Sequence, residues 1–208
     1  MTTVVELHVV SAVEPWERLG LTVHDRAVRV GGITLRFTAP GDTNPTAGVV
    51  GWTLADAPDP GVTQIDGLPT THGDAPADAP PAAHARGIHS WDHLVVMTSS
   101  IERTCEAIEA ATGAPLKRIR EAGPIRQGFH RLGELIIEVV ESAQVTAPHA
   151  SFWGFVWNVP DLHEVCGRLG PEVISLPKPA VQPGRFIATV RPSLGLGVPL
   201  ALMTPASR

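Results

Sequence analysis

The chain has 208 residues, a formal net charge of −5 with histidines neutral, and 43% hydrophobic residues, the balance of a soluble globular protein with one good core or two small ones. Most of its cations are arginines, Lys117 and Lys178 being the only lysines, and no basic stripe or block of like charge is present; nucleic acid is therefore not an expected partner. The opening MTTVVELHVVSAVEPWERLG has no basic stretch leading into a long apolar run, and no apolar run is long enough to span a bilayer, so a cytoplasmic chain with no membrane partner is expected.

In chain order, VVELHVVSA is rich in β-branched residues and predicts a strand. Ser11 and Glu14 have capping-box spacing and Pro15 suits a first turn, which predicts a short helix ending at Gly20. TVHDRAVRV, GITLRFT and GVVGWTLAD follow as strands between Gly- and Pro-containing turns. From Asp56 to Gly87 Pro, Gly, Ala and Asp crowd out any periodicity, which predicts an extended linker and a domain boundary.

The central stretch begins with WDHLVVMT, a strand, followed by a helix whose start is marked by Ser99 with Glu102 three residues on. Ile101, Cys105 and Ile108 give that helix one apolar face, and Gly113 supplies its stop. Three strands, PLKRIREAG, IRQGFHRLGE and LIIEVVE, complete the unit. A second unit starts at SFWGFVWNV, continues into a helix from Asp161 to Gly170, and ends with EVISL, RFIATVR and VPLALMT as strands. Cys105 and Cys166 both fall on apolar helix faces, as buried free thiols would.

Two internal comparisons point to repetition. An offset of 61 residues (154 − 93) sets Gly154 on His93, Leu162 on Ile101 and Cys166 on Cys105 without a gap. A second sets RVGGITLRFT beside RLGELIIEVV, then GVVGWTLAD beside WGFVWNVPD, with Trp52 on Trp157. The N-terminal segment thus looks like a reduced copy of the same strand, helix and three strands.

Tandem βαβββ units, a DHLVV-like first strand with a histidine and an LIIEVVE-type fourth strand with a central glutamate together resemble the vicinal oxygen chelate superfamily, which includes glyoxalase I, extradiol dioxygenases, methylmalonyl-CoA epimerase and bleomycin-resistance proteins. The ending VQPGRFIATVRPSLGLGVPLALMTP is similar to a glyoxalase-like bacterial subgroup. The resemblance implies an α+β fold of tandem βαβββ modules forming a cup-shaped mixed sheet with helices on its outer face. It divides the chain into a degenerate module over 1–72, a linker over 73–87, a module carrying the candidate site over 88–142 and a second module over 151–205. A homodimer is compatible with it, since such modules also pair across subunits.

Carried over by position, His93 matches the first-strand metal ligand of that superfamily and Glu138 the fourth-strand ligand, for a divalent ion such as Zn, Ni, Mn, Fe or Mg. Gly154 and the PLALM strand around Leu202 offer no second pair, and Leu7 and Arg36 stand in for the pair in the N-terminal copy. A third ligand would have to come from Gln127, His130, His89 or a residue of the N-terminal copy. With or without metal, His93 and Glu138 are the expected catalytic residues, suited to moving a proton next to the carbonyl of a small molecule. Arg126, Gln127, His130, Trp153 and Arg185 are the expected substrate-binding residues, with Gln127 and His130 on opposite faces of one strand. The expected activity is a glyoxalase-like lyase, isomerase or epimerase; the alternative is metal-free sequestration of a small molecule, as in bleomycin-resistance proteins.

Overall fold

A computed structural model describes residues 1–41, 47–77 and 87–206, so His84 and most of the expected linker lie outside the described residues. Residues 1–72 form a six-stranded sheet from β1 (Thr3–Val10), β2 (Ala27–Val30), β3 (Ile33–Thr38), β4 (Gly48–Ala55), β5 (Gln64–Ile65) and β6 (Leu68–His72), with a one-turn helix α1 (Glu14–Arg18) after β1. Its order is β2-β3-β1-β4-β6-β5. An eight-stranded sheet follows from β7 (Ser90–Thr98), β8 (Arg118–Ala122), β9 (Ile125–Leu132), β10 (Leu135–Ser142), β11 (Ser151–Asn158), β12 (Lys178–Pro179), β13 (Phe186–Thr189) and β14 (Leu200–Met203). Helix α2 (Ile101–Thr112) leaves β7 and α3 (Leu162–Leu169) leaves β11, and the strand order is β12-β13-β14-β11-β7-β10-β9-β8. This is an α+β chain of repeated βαβββ modules.

The repeats show in the pairing. In each module the first strand runs parallel to the last, as β7 with β10, β11 with β14, β1 with β3 and β4 with β6. First strands meet antiparallel at the centre of each sheet, β7 with β11 and β1 with β4. Leu94 pairs with Phe155, its own counterpart at the offset of 61 (155 − 94), so a local two-fold axis passes through that pair. We read residues 1–72 as two abbreviated modules, β1-α1-β2-β3 and β4-β5-β6. Two strands, β5 and β6, thus lie in the stretch after Asp56 where sequence periodicity fails; they are short, and Asp66 and Gly67 between them take left-handed backbone angles that suit a tight turn.

Local signals set the element ends with small shifts. The cap of α2 is Ser100, whose Oγ accepts from the Arg103 backbone N–H, one residue after the expected Ser99, and Gly113 ends the helix in the left-handed region. Ser11 does not cap α1; it receives the Trp16 indole N–H and donates to the Leu196 carbonyl. The EVISL stretch makes only an isolated bridge, Ile174 with Val190.

One continuous core joins the two sheets. The face of the larger sheet turned away from the cup carries Leu94, Val96, Ile137 and Val139, all fully buried, and α2 packs there through Ile101, Cys105 and Ile108. Gly128 on β9 permits that approach, because a Cβ there would stand 2.8 Å from the Cys105 sulfur. Trp16, Trp91, Phe155 and Trp157 stack and tilt against one another between the sheets at centroid separations of 5.0–6.3 Å. The Trp91 indole donates across to the Val30 carbonyl at 2.7 Å. The N-terminal sheet therefore backs the larger one.

A Cβ on Gly154 would lie 2.4 Å from the Pro199 carbonyl oxygen, main chain that has no rotamer to give way. Gly154→Ala should lower stability by about 1–3 kcal/mol, the usual range for overpacking, read as a fall in the denaturant midpoint at unchanged slope.

Candidate functional site

Antiparallel pairing of β7 with β11 skips two residues. Met97 to Val95 pair with Ser151 to Gly154, leaving Trp153 unpaired; His93 and Trp91 pair with Val156 and Trp157, leaving Asp92 unpaired. Each is a β-bulge, and the two are related by the same offset (153 − 92 = 61). The β1/β4 pair has bulges at Val5 and Val50 in the equivalent places. A bulge breaks strict alternation and re-aims the side chains around it. Trp91, which strict alternation would put on the face of His93, is turned into the core, and Asp92 joins His93 on the cup side.

The bulges also align the modules. The residue after each bulge is Glu6 in β1, Gly51 in β4, His93 in β7 and Gly154 in β11. Glu138 pairs with Val95, two residues past His93; its counterparts by register are Arg36, Thr71 and Ala201. The N-terminal counterpart of His93 is thus Glu6 rather than Leu7, which is a core residue, and Glu6 forms an ion pair with Arg36 at 2.9 Å. Trp52 falls on Phe155 rather than Trp157, a two-residue difference that keeps the face.

His93 and Glu138 come together on adjacent strands, with Nε2 of His93 3.2 Å from Oε2 of Glu138. Nδ1 of His93 lies 2.7 Å from Oδ1 of Asp92. Burial works to raise the Asp92 pKa, but hydrogen bonds from His93 and Arg185, with the charges of both, outweigh it and hold the carboxyl below its ordinary value. An ionised Asp92 only accepts, so Nδ1 carries a proton and Nε2 is the nitrogen turned to Glu138. Oε1 of Glu138 accepts from the Gln127 amide nitrogen. The Gln127 oxygen accepts from Arg120, at 2.9 Å from its Nε. Arginine has no acceptor, which sets the orientation of the Gln127 amide. A hydrogen-bonded chain therefore runs Arg120, Gln127, Glu138, His93, Asp92, Arg185.

Arg185 is buried. It binds Asp92, Gln182 and Asn158 (2.9 Å), and its Nε donates to the Thr204 carbonyl at 2.6 Å, so it braces Asp92 from behind. Trp153, 53% exposed, stands at the rim of the cup. Arg126 is not in the cup; it pairs with Glu102, Glu121 and Glu141 at 2.7, 3.2 and 2.9 Å. His130 is on the opposite face from Gln127, buried under α2, with Nδ1 2.9 Å from the Ala114 carbonyl. His89 is exposed. Asp92 and Arg120 escaped sequence reading: a bulge leaves no trace in composition, and Arg120 shares its strand with Arg118.

The cup is lined by residues of β7 to β14 and their connections. Whether a divalent ion fits depends on its donors. His93 and Glu138 are one pair, in contact with each other; the second module presents Gly154 and Ala201 instead, and the Pro199 carbonyl fills the space a side chain at 154 would take. Among the described residues no group of three or more His, Cys, Asp or Glu is arranged so that it could hold a metal ion. The three or four protein ligands of a zinc-type site are absent among the described residues, so these residues do not fit a zinc-type centre.

No family model matches this chain, and no curated protein matches it by sequence. Solved structures do. A variant of 4-hydroxymandelate synthase from Streptomyces coelicolor matches with a TM-score of 0.68 at 15% identity, covering 99% of this chain and 93% of that one. Methylmalonyl-CoA epimerase from Mycobacterium tuberculosis matches with a TM-score of 0.50 at 16% identity, over 59% of this chain and 92% of that one. Both are vicinal oxygen chelate proteins. This chain has the vicinal oxygen chelate fold. At these identities the likeness is one of architecture, and chemistry has to be argued from the residues. No described helix is long and apolar enough to cross a membrane.

His130 gives a test that concerns stability alone. Burial, only partly opposed by the Ala114 carbonyl, pushes its pKa down, and its buried Nε2 has no hydrogen-bond partner among the described residues that could accept from it once protonated. Between the lowered folded value and the unfolded value of about 6.5, the unfolded chain binds more protons, so His130 makes stability fall as pH drops through that window. Chemical denaturation at pH 7 and pH 5 should show this loss, and His130→Leu should reduce it.

Proposed function

We propose that this chain is an isomerase that moves a proton between neighbouring atoms of an enolisable carbonyl compound, with His93 and Glu138 as its acid/base pair. The observation carrying this reading is the 3.2 Å contact of Nε2 with Oε2, beside an Nδ1 already committed to Asp92. That contact needs one proton, held either on the imidazole or on the carboxyl. The protonated partner can give a proton while the other takes one.

Geometry narrows the reaction. Two atoms in hydrogen-bond contact leave no room for a substrate carbon between them, so both address the substrate from one side. Removal and return of a proton on the same face suits a shift between adjacent atoms. Inversion at one carbon, by contrast, takes an acid and a base on opposite faces. Arg120 and the Gln127 amide lie beside the pair and can stabilise negative charge on an enolised oxygen. The transfer uses these side chains alone.

Sequestration of a small molecule without chemistry is the second reading, supported by the apolar lining from Val95, Met97, Val140, Val156 and Ala201. The two part in a deuterium-exchange experiment. Chelator-treated protein in heavy water should catalyse exchange of C–H protons next to the carbonyl in a panel of small oxo acids, followed by NMR. His93→Gln and Glu138→Gln should each slow it by about 10²–10⁴-fold. Activity that returns only with Zn, Ni, Mn, Fe or Mg, held stoichiometrically by His93 and Glu138, would refute the proposal; ligand binding without exchange would favour sequestration.

A further inference from the structure

The cup is two chambers in series. One, of about 500 Å³, has Arg118, Arg120 and Lys178 on its walls. The other, of about 420 Å³, is walled by Val95, Met97, Val140, Val156, Ala201 and their apolar neighbours. His93 and Glu138 line both, as do Ile187 and Thr189, so the proton-transfer pair stands at the junction. Among the described residues that pair is the only charged or titratable lining of the apolar chamber.

The charges of the first chamber do not cancel locally. Asp92 is answered by Arg185 and His93, and Glu138 by Gln127 and His93. Arg120 is spent on a neutral amide oxygen. Arg118 lies over the Phe129 ring, 4.9 Å from its centroid, and neither it nor Lys178 has a carboxylate partner among the described residues. Three cations thus face a space whose carboxylates are already engaged, and such a space favours an anion.

We infer that the ligand is an amphiphilic carboxylate, its head held by Arg118, Arg120 and Lys178 and its hydrocarbon arm in the Val95/Val156/Ala201 chamber. The acidic carbon would lie between them, at His93 and Glu138. Only this middle assignment rests on the proton-transfer proposal; the two ends rest on the walls. A guanidinium and an ammonium supply charge-assisted hydrogen bonds to a carboxylate. The apolar chamber has room for a ring or a branched chain, and apart from His93, Glu138 and Thr189 its walls are apolar among the described residues.

Calorimetry of the full chain separates the ends. Four probes are compared: 3-phenylpropanoate, its uncharged amide, propanoate, and 3-phenylpropyl phosphate. The carboxylate with its arm should bind about tenfold or more tighter than the amide and than propanoate. Arg118→Gln with Lys178→Gln, both at exposed positions, should bring 3-phenylpropanoate to the affinity of the amide. Ala201→Phe, which fills the apolar chamber, should make 3-phenylpropanoate and propanoate bind alike, with a thermal melt confirming that the variant is folded. Equal binding of acid and amide, or tighter binding of the phosphate, would overturn the head-group assignment; an arm that adds no affinity would overturn the apolar one. Because the readout is binding, these failures are distinct from absence of deuterium exchange in heavy water, which would strike the proton-transfer proposal instead.

Discussion

A strand with one residue more than its partner cannot keep every side chain on its appointed face. In β7 the extra residue is Asp92, and the site depends on it. Without the bulge Trp91 and His93 would share a face, and the large indole would compete for the floor of the cup. With it, Trp91 turns into the aromatic core between the sheets while Asp92 and His93 both reach the cup. The same departure occurs one residue before the equivalent position in the other three first strands, at Val5, Val50 and Trp153, so it belongs to the module. What distinguishes the module that begins at β7 is the residue that fills the bulge.

A carboxylate placed there does more than orient a ring. Asp92 accepts from both Arg185 and His93, and Arg185 is itself tied to Asn158 at the end of β11 and to the carbonyl of Thr204 after β14. The orientation of His93 is thus referred to the second module, although that module gives the His93/Glu138 pair no donor of its own. Arg120 does the corresponding work for Glu138 through Gln127. An imidazole and a carboxylate held from opposite ends by two guanidiniums form a stiff unit, and a stiff unit is what proton transfer over short distances requires.

Much of the fold was legible because it follows from periodicity. The apolar face of α2, the glycine stop at Gly113 and the offset of 61 residues all correspond to features of the structure. The meeting of His93 with Glu138, and of Gln127 with Glu138 rather than His130, follows from strand alternation once the strands are placed. Register was harder. Leu7 was matched to His93 where pairing puts Glu6, since short β-branched strands look alike after a slip of one residue. Asp92, Arg120 and the supporting place of Arg185 were out of reach because they depend on contacts between distant strands. Arg126, a plausible anion binder by residue type, is consumed by three carboxylates brought to it by α2, β8 and β10.

The glycines opposite the site have a consequence of another kind. Gly154 is shut off by the Pro199 carbonyl, and a Cβ on its counterpart Gly51 would stand 3.3 Å from the Pro69 carbonyl oxygen, so both sheets oppose main chain to the same position. A histidine lost by substitution alone could be regained by one substitution. Here a side chain at 154 needs the chain around Pro199 to move first, and that chain also hydrogen-bonds Phe155 through the same carbonyl. The inequality between the halves of the cup is therefore written in its backbone, and point changes to the side chains at these positions leave it in place.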